Sequence, residues 1–267
     1  MPKAGAGPVW HNLTVCVRER TLGVARTMRG SALCFVLASL GCALSPGQVH
    51  NLTGWQLQTC LEHPRTVEGD ALAAYSDDNF YLGADGTIVM RTPDNAPAVT
   101  THADHPRTEF RETGCKDWNF DAGEHVLTMR TAVTRVSTTN NETILAQIHG
   151  SVDEEVAKVL KLRWTGGRVE ARVKNATAPN DEFGLDCGSY SLGDQLAVEV
   201  RVSAGVLSVS VNGHSVQYTP PFNPSDHFYF KAGDYNQCHP CGGAGQYAEV
   251  HLSELNTTHI IMPTFAR

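Results

Sequence analysis

No stretch of this sequence reaches the roughly 18 to 20 consecutive apolar residues that a membrane-spanning helix needs. No Pro/Ser-rich linker divides the chain after residue 45 and no internal repeat is found, which argues against tethered modules and solenoids. Helical periodicity is nearly missing; the one stretch that shows it lies near 51–61. Positive charge is short as well: 21 Lys and Arg stand against 28 Asp and Glu, a net of −7 over 267 residues. An acidic chain is a poor general binder of nucleic acid, and any acidic ligand must meet a local cluster of cations. A second closely spaced cysteine pair, which a zinc site would need beside Cys238-His239-Pro240-Cys241, is also lacking. That motif therefore reads as a structural disulfide.

What is present begins with an export signal. Ser31 to Ala43 is a short apolar run that follows Arg26 and Arg29 and closes on small residues, the layout of a secretory signal peptide. Residues 1–45 are expected to be an N-terminal extension and signal, with Met28 just ahead of the apolar run, and 46–267 one domain. Cleavage is expected between about residues 44 and 48. The first 45 residues hold five basic and one acidic residue, so their removal leaves 16 against 27, a net of −11. Cys60, Cys115, Cys187, Cys238 and Cys241 then remain; five is odd, so at most two internal bridges form. Sequons at Asn51, Asn141, Asn175 and Asn256 mark expected surface positions of a glycoprotein.

The domain itself reads as strands and turns. Leu196, Val198, Val200 and Val202 alternate with Ala197, Glu199, Arg201 and Ser203. After the turn at 203–205, Leu207, Val209 and Val211 alternate with polar residues as far as Asn212-Gly213, which gives an antiparallel pair with one buried face. The same period marks strands at 86–91, 106–112, 126–136, 143–150, 157–164, 168–174, 227–233 and 246–252. Many short strands with polar turns predict an all-β sandwich or jelly roll.

Three of these segments carry a specific polar set on one face. Arg107, Glu109 and Arg111 alternate with Thr108 and Phe110; Gln147 and His149 alternate with Ala146, Ile148 and Gly150; Tyr229, Lys231 and Tyr235 share parity. Each set alone fits a surface ion pair or ordinary packing. Together, on neighbouring strands, they make a cationic, hydrogen-bonding groove suited to a polymer with a carboxylate on every sugar. Arg and Gln donors neutralise a uronate carboxylate, histidine takes the C5 proton, and tyrosine protonates the departing C4 oxygen.

Arg107-Thr-Glu-Phe-Arg111, Gln147-Ile-His149 and Tyr229-Phe-Lys-Ala-Gly-Asp-Tyr-Asn-Gln237 resemble, in order and spacing, the three motifs of the alginate lyases of polysaccharide lyase family seven, over about residues 50 to 262. The resemblance implies a β-jelly roll of two antiparallel sheets with a concave cleft, no metal and no organic cofactor. It implies an enzyme that cleaves alginate by β-elimination; with the export signal, the acidic charge and the lack of a long apolar run, the expectation is a secreted monomer that binds acidic polysaccharide and neither nucleic acid nor membrane. By motif position, Arg107 and Gln147 neutralise the carboxylate, and His149 and Tyr235 are base and acid. Glu109, Arg111, Tyr229, Lys231, Asn236 and Gln237 support or bind substrate, and Ile148 is associated with guluronate-containing blocks. Asp234 departs from the family's usual valine and is expected to point away from the cleft; Phe110 replaces a common Leu or Val and is expected in the core.

Other classes fit less well. A non-catalytic carbohydrate-binding jelly roll has no need of the His149 and Tyr235 pair. A sandwich-fold glycoside hydrolase needs two carboxylates flanking the bond, and the dense acidic run Asp153-Glu154-Glu155 reads as a solvated loop. A lyase for another polyuronate, such as glucuronan, would use the same groups.

Overall fold

The computed structural model describes the backbone of residues 15–16 and the residues 44–96, 104–150, 158–175, 181–222 and 226–260. The apolar run at 31–43 and the acidic run at 153–155 lie outside the described residues. Two eight-stranded antiparallel sheets stack face to face. The outer sheet runs β14 (His214–Tyr218), β13 (Val206–Val211), β12 (Leu196–Ser203), β7 (Glu124–Arg135), β16 (Tyr247–Ile260), β5 (Ile88–Pro93), β4 (Phe80–Leu82), with the short β1 (Val15–Cys16) beside the end of β16. The inner sheet runs β11 (Glu182–Ser189), β10 (Arg168–Lys174), β9 (Lys158–Thr165), β8 (Glu142–Gly150), β15 (Phe228–Asn236), β6 (Arg107–Glu112), β2 (Trp55–Gln58), β3 (Thr66–Glu68). This is the jelly-roll sandwich expected from the alternating pattern.

Alternation explains the layering. In β12 every second residue, Leu196 to Val202, is buried against the partner sheet while the residues between stay partly open. The turns on either side of β13 carry the backbone signs that short hairpins need: Ala204 and Gly205 both have positive φ, as do Asn212 and Gly213. The core between the sheets is filled by Trp55, Phe80, Phe110, Phe228, Phe230 and the aliphatic residues of both inner faces.

Helix is confined to two short pieces among the described residues, α1 (Pro46–Val49) and α2 (Gly69–Ala74). The helical reading near 51–61 is corrected: Trp55–Gln58 is a strand whose Trp55 and Leu57 are buried and whose Gln56 and Gln58 are not, a period of two mistaken for part of a helical stripe. Cys238 is bridged to Cys241, Cys115 is also disulfide-bonded, and Cys60 and Cys187 are buried free thiols. Burial pushes both thiols up to about 11, so neither is a nucleophile at neutral pH.

Candidate active site

The three polar sets sit on adjacent strands at the middle of the inner sheet, in the order β8, β15, β6. The register aligns them: Lys231 pairs with Arg111 on one side and Gln147 on the other, Tyr229 pairs with His149, and Tyr235 pairs with Arg107. Paired residues in a sheet share a face, so all three sets point the same way, towards the open side of the sheet. The residues between them point into the core. Phe110 and Ile148 are fully buried there, and Asp234 accepts a hydrogen bond from Thr143 at 2.6 Å beneath the site. Parity thus places Phe110 and Asp234 as expected. Burial pushes the Asp234 carboxyl up to about 7.

Glu109 organises the site. It is completely buried and accepts from Arg107 Nη1 at 3.1 Å, Gln147 Nε2 at 2.5 Å and Lys231 Nζ at 2.5 Å. Burial alone would raise its pKa, but Lys231 and Arg107 outweigh that and hold it below the usual carboxylate range. One carboxylate therefore fixes three donors from three strands. The cluster keeps a surplus of positive charge, because Arg107, Lys231 and Arg111 face a single Glu109. Arg107 Nε is buried with no hydrogen-bond partner among the described residues. Burying a donor without a partner is costly, so this N–H is a strained element of the cluster.

The proton-transfer candidates flank this cluster. His149 Nδ1 lies 2.8 Å from the Gly150 carbonyl, which accepts an Nδ1–H and leaves the Nε2 lone pair free as the basic nitrogen. The Tyr229 hydroxyl lies 2.9 Å from the same Nδ1, and the two rings stack at 5.3 Å. Burial first, and then the Lys231 charge, lower the His149 pKa to about 4, so the imidazole is neutral across the physiological range. Tyr235 packs under the Arg107 guanidinium, 3.7 Å from its ring centre, and burial raises its pKa, so it keeps its proton. Arg111 covers Tyr229 in the same way at 4.3 Å.

Two further residues of the third motif act on the scaffold. Asn236 is fully buried, donates to Thr92 O and Asp94, and accepts from Cys238 N, so it supports the exit of β15 and offers nothing to the cleft. Gln237 is partly open and donates to Tyr235 O at 3.1 Å. Alternation alone does not reveal Glu112, His259 and His125, which form a buried polar chain behind the site. His259 Nε2 lies 2.8 Å from Glu112 and its Nδ1 lies 2.9 Å from that of His125, while Glu112 also accepts from the Phe230 amide. These residues come from β6, β16 and β7, and only the stacking of the two sheets brings them together.

The sequence model of the alginate lyase family matches residues 50–259. No curated protein sequence matches significantly. Among solved structures, an alginate lyase of Pseudomonas aeruginosa is 28% identical, with TM-score 0.70, and the match covers 78% of this chain and 99% of that one. An alginate lyase of Corynebacterium sp. is 26% identical, with TM-score 0.69, covering 80% and 98%. Alginate lyase A1-II′, a member of polysaccharide lyase family 7, is 23% identical, with TM-score 0.73, covering 82% and 100%. The matched span takes in nearly all of both sheets and every residue of the cationic cluster, so the chain belongs to the alginate lyase family and is a polysaccharide lyase that cleaves alginate.

Proposed function

We propose that this protein is a secreted, monomeric enzyme that cleaves guluronate-containing blocks of alginate by β-elimination at the Glu109-centred cluster. The carrying observation is the fan of donors from Arg107, Gln147 and Lys231 about one buried carboxylate, with a neutral His149 and a protonated Tyr235 at its sides. The uronate carboxylate docks on Arg107 and Gln147, whose donors stabilise the charge that develops when the C5 proton leaves. His149 Nε2 takes that proton. The electron pair forms the C4–C5 double bond, the C4–O bond breaks, and the Tyr235 hydroxyl protonates the departing oxygen. Asn51 and Asn141, both exposed, are the sequons most open to glycosylation.

Guluronate preference rests on Ile148, which lies in the core and acts through the packing beneath Gln147 and His149. The relative A1-II′ has been crystallised with a substrate written GGMG and a product written GGG, which supports the same substrate class. The test incubates the protein with polyguluronate, polymannuronate and glucuronan and follows the ultraviolet absorbance of the new double bond. Fastest growth on polyguluronate is expected. Products with only saturated reducing ends would sink the elimination chemistry, and equal rates on all three would sink the preference.

A further inference from the structure

We infer that Glu112 is a positioning residue for the elimination: from beneath the sheet it clamps the backbone of β15 between Tyr229 and Lys231, and the His259–His125 pair holds Glu112 in place. This rests on the reading of the cluster as the reaction site. The backbone carries the first part of the argument. The ladder between β15 and β6 runs from the Tyr235–Arg107 pair to the Lys231–Arg111 pair and ends there. Beyond it Trp118 exchanges both backbone hydrogen bonds with Phe228, at 2.8 and 3.2 Å. In the gap between, the Phe230 amide donates to the Glu112 side chain at 3.1 Å. A carboxylate thus satisfies the backbone donor that a neighbouring strand would otherwise take. On either side of that amide stand Tyr229, whose hydroxyl meets His149 Nδ1 at 2.9 Å, and Lys231, which binds Glu109.

Glu112 is itself held, and its surroundings fix the charge. Glu112, His259 and His125 are each no more than 2% exposed. Three links join them in line: Glu112 Oε1 to His259 Nε2 at 2.8 Å, His259 Nδ1 to His125 Nδ1 at 2.9 Å, and His125 Nε2 to the Ala122 carbonyl at 2.9 Å. Each link needs one proton. The carbonyl accepts from His125 Nε2–H, and burial keeps His125 neutral, with its pKa lowered to about 4. Its Nδ1 therefore accepts from His259 Nδ1–H, and one further proton lies between His259 Nε2 and the carboxylate. Two neutral imidazoles, a carboxylate and one added proton sum to no net charge, so the core encloses the line without a counter-ion. Trp118 stacks on His125 at 4.4 Å, so the residue that takes over the ladder is packed against the line that supports the gap.

The proton count separates this glutamate from Glu109. Glutamine at 112 rebuilds every link, because its carbonyl accepts from the Phe230 amide and its NH2 donates to His259 Nε2. At Glu109, where three donors converge on one carboxylate, glutamine cannot.

The test compares wild type with Glu112→Gln and with the double variant Glu112→Leu/His259→Phe. The double variant replaces the pair by apolar groups of similar size beside Phe230 and Trp118, which favours stability while removing the acceptor. Assayed well below its melting point, it is expected to lose about 10- to 100-fold in kcat with KM within about twofold, because His149 and Lys231 lose their alignment while Arg107 still meets the substrate carboxylate. Glu112→Gln is expected to recover kcat to within about threefold of wild type. Deuterium exchange of the Phe230 amide, followed by NMR, should be slow in wild type and in Glu112→Gln and at least about tenfold faster in the double variant. Wild-type kcat in the double variant, or a loss in Glu112→Gln as large as in the double, would overturn the positioning role. If none of the proteins cleaves a polyuronate yet exchange follows the stated order, the clamp stands and the reading of the cluster as the reaction site falls. If the amide exchanges alike in all three, the clamp falls whatever the activity. Should the double variant not fold, Glu112→Asp, ionisable but one methylene too short to reach the amide, takes its place with the same expected outcomes.

Discussion

The sharpest consequence of the site geometry concerns Glu109→Gln. The substitution keeps the shape of the side chain, removes its charge and turns one acceptor oxygen into a donor. With its NH2 towards Arg107 Nη1 and Lys231 Nζ the new amide faces two donors; turned the other way it is satisfied once Gln147 flips to accept, but Arg107 and Lys231 are left with a neutral oxygen in place of a carboxylate. Lys231 and Arg107 are 3% and 6% exposed, so neither finds water in exchange. Removing one partner of a buried ion pair costs about 3 to 5 kcal/mol. For a domain of this size that is a fall in Tm of about 6 to 20 °C. The folded chain has one escape. Burial already pulls the Lys231 ammonium down to about 7, and without Glu109 it is lower still, so the penalty shrinks once the medium favours neutral lysine. Calorimetry near pH 6 and near pH 9 should show a larger Tm deficit at the lower pH. Adding Lys231→Met to Glu109→Gln should recover part of the loss, as a double-mutant cycle between contacting groups requires. In the same variant kcat/KM should fall about a hundredfold, since Arg107 and Gln147 lose the anchor that sets their positions. A melt within experimental error of wild type at both pH values would refute the claim that one buried carboxylate holds the cluster.

The division of labour predicts that Tyr235→Phe lowers kcat by about 10² to 10⁴ with little change in KM; wild-type turnover would remove Tyr235 as the acid. Tyr229→Phe should cost less, because its hydroxyl contacts His149 Nδ1, the nitrogen turned away from the chemistry. For His149, with a folded pKa of about 4, the acid limb of kcat/KM should lie nearer 4 than the ordinary 6.5; a limb at 6.5 would contradict its burial. His125 also falls to about 4, through burial. Because the unfolded chain takes up these protons near 6.5 and the folded chain does not, the two histidines make stability fall as pH drops from about 6.5 to 4, an effect that the single buried Asp234, raised to about 7, offsets only in part. A melting temperature flat across that window would argue against both values. Gly233 has φ +145°, and a Cβ there would lie 2.8 Å from Thr108 O and 2.9 Å from Glu109 Cα. Gly233→Ala should therefore destabilise by at least about 1 to 3 kcal/mol, read as a drop in denaturant midpoint.

Some of this protein is written in its sequence with no need of the fold. A period of two fixes which residues of a strand share a face, so Arg107 with Glu109 and Arg111, Gln147 with His149, and Tyr229 with Lys231 and Tyr235 were grouped by chain position alone. The same parity sent Phe110, Ile148 and Asp234 inward, and the residue types of the three sets already specified donors, a base and an acid. Short-range pattern says nothing, however, about which strands become neighbours. Strand order places β15 between β8 and β6, although about 80 residues of sequence separate Tyr229 from His149. Only that order makes Glu109 the common acceptor rather than half of a surface ladder. Sheet stacking likewise decides that Glu112 meets His259 and His125, because groups 147 and 134 residues apart share no local signal. Near 51–61, where apolar spacing fits two periods, the pairing of β2 with β6 and β3 settled the matter: a strand gains its ladder bonds from neighbours that the sequence does not show.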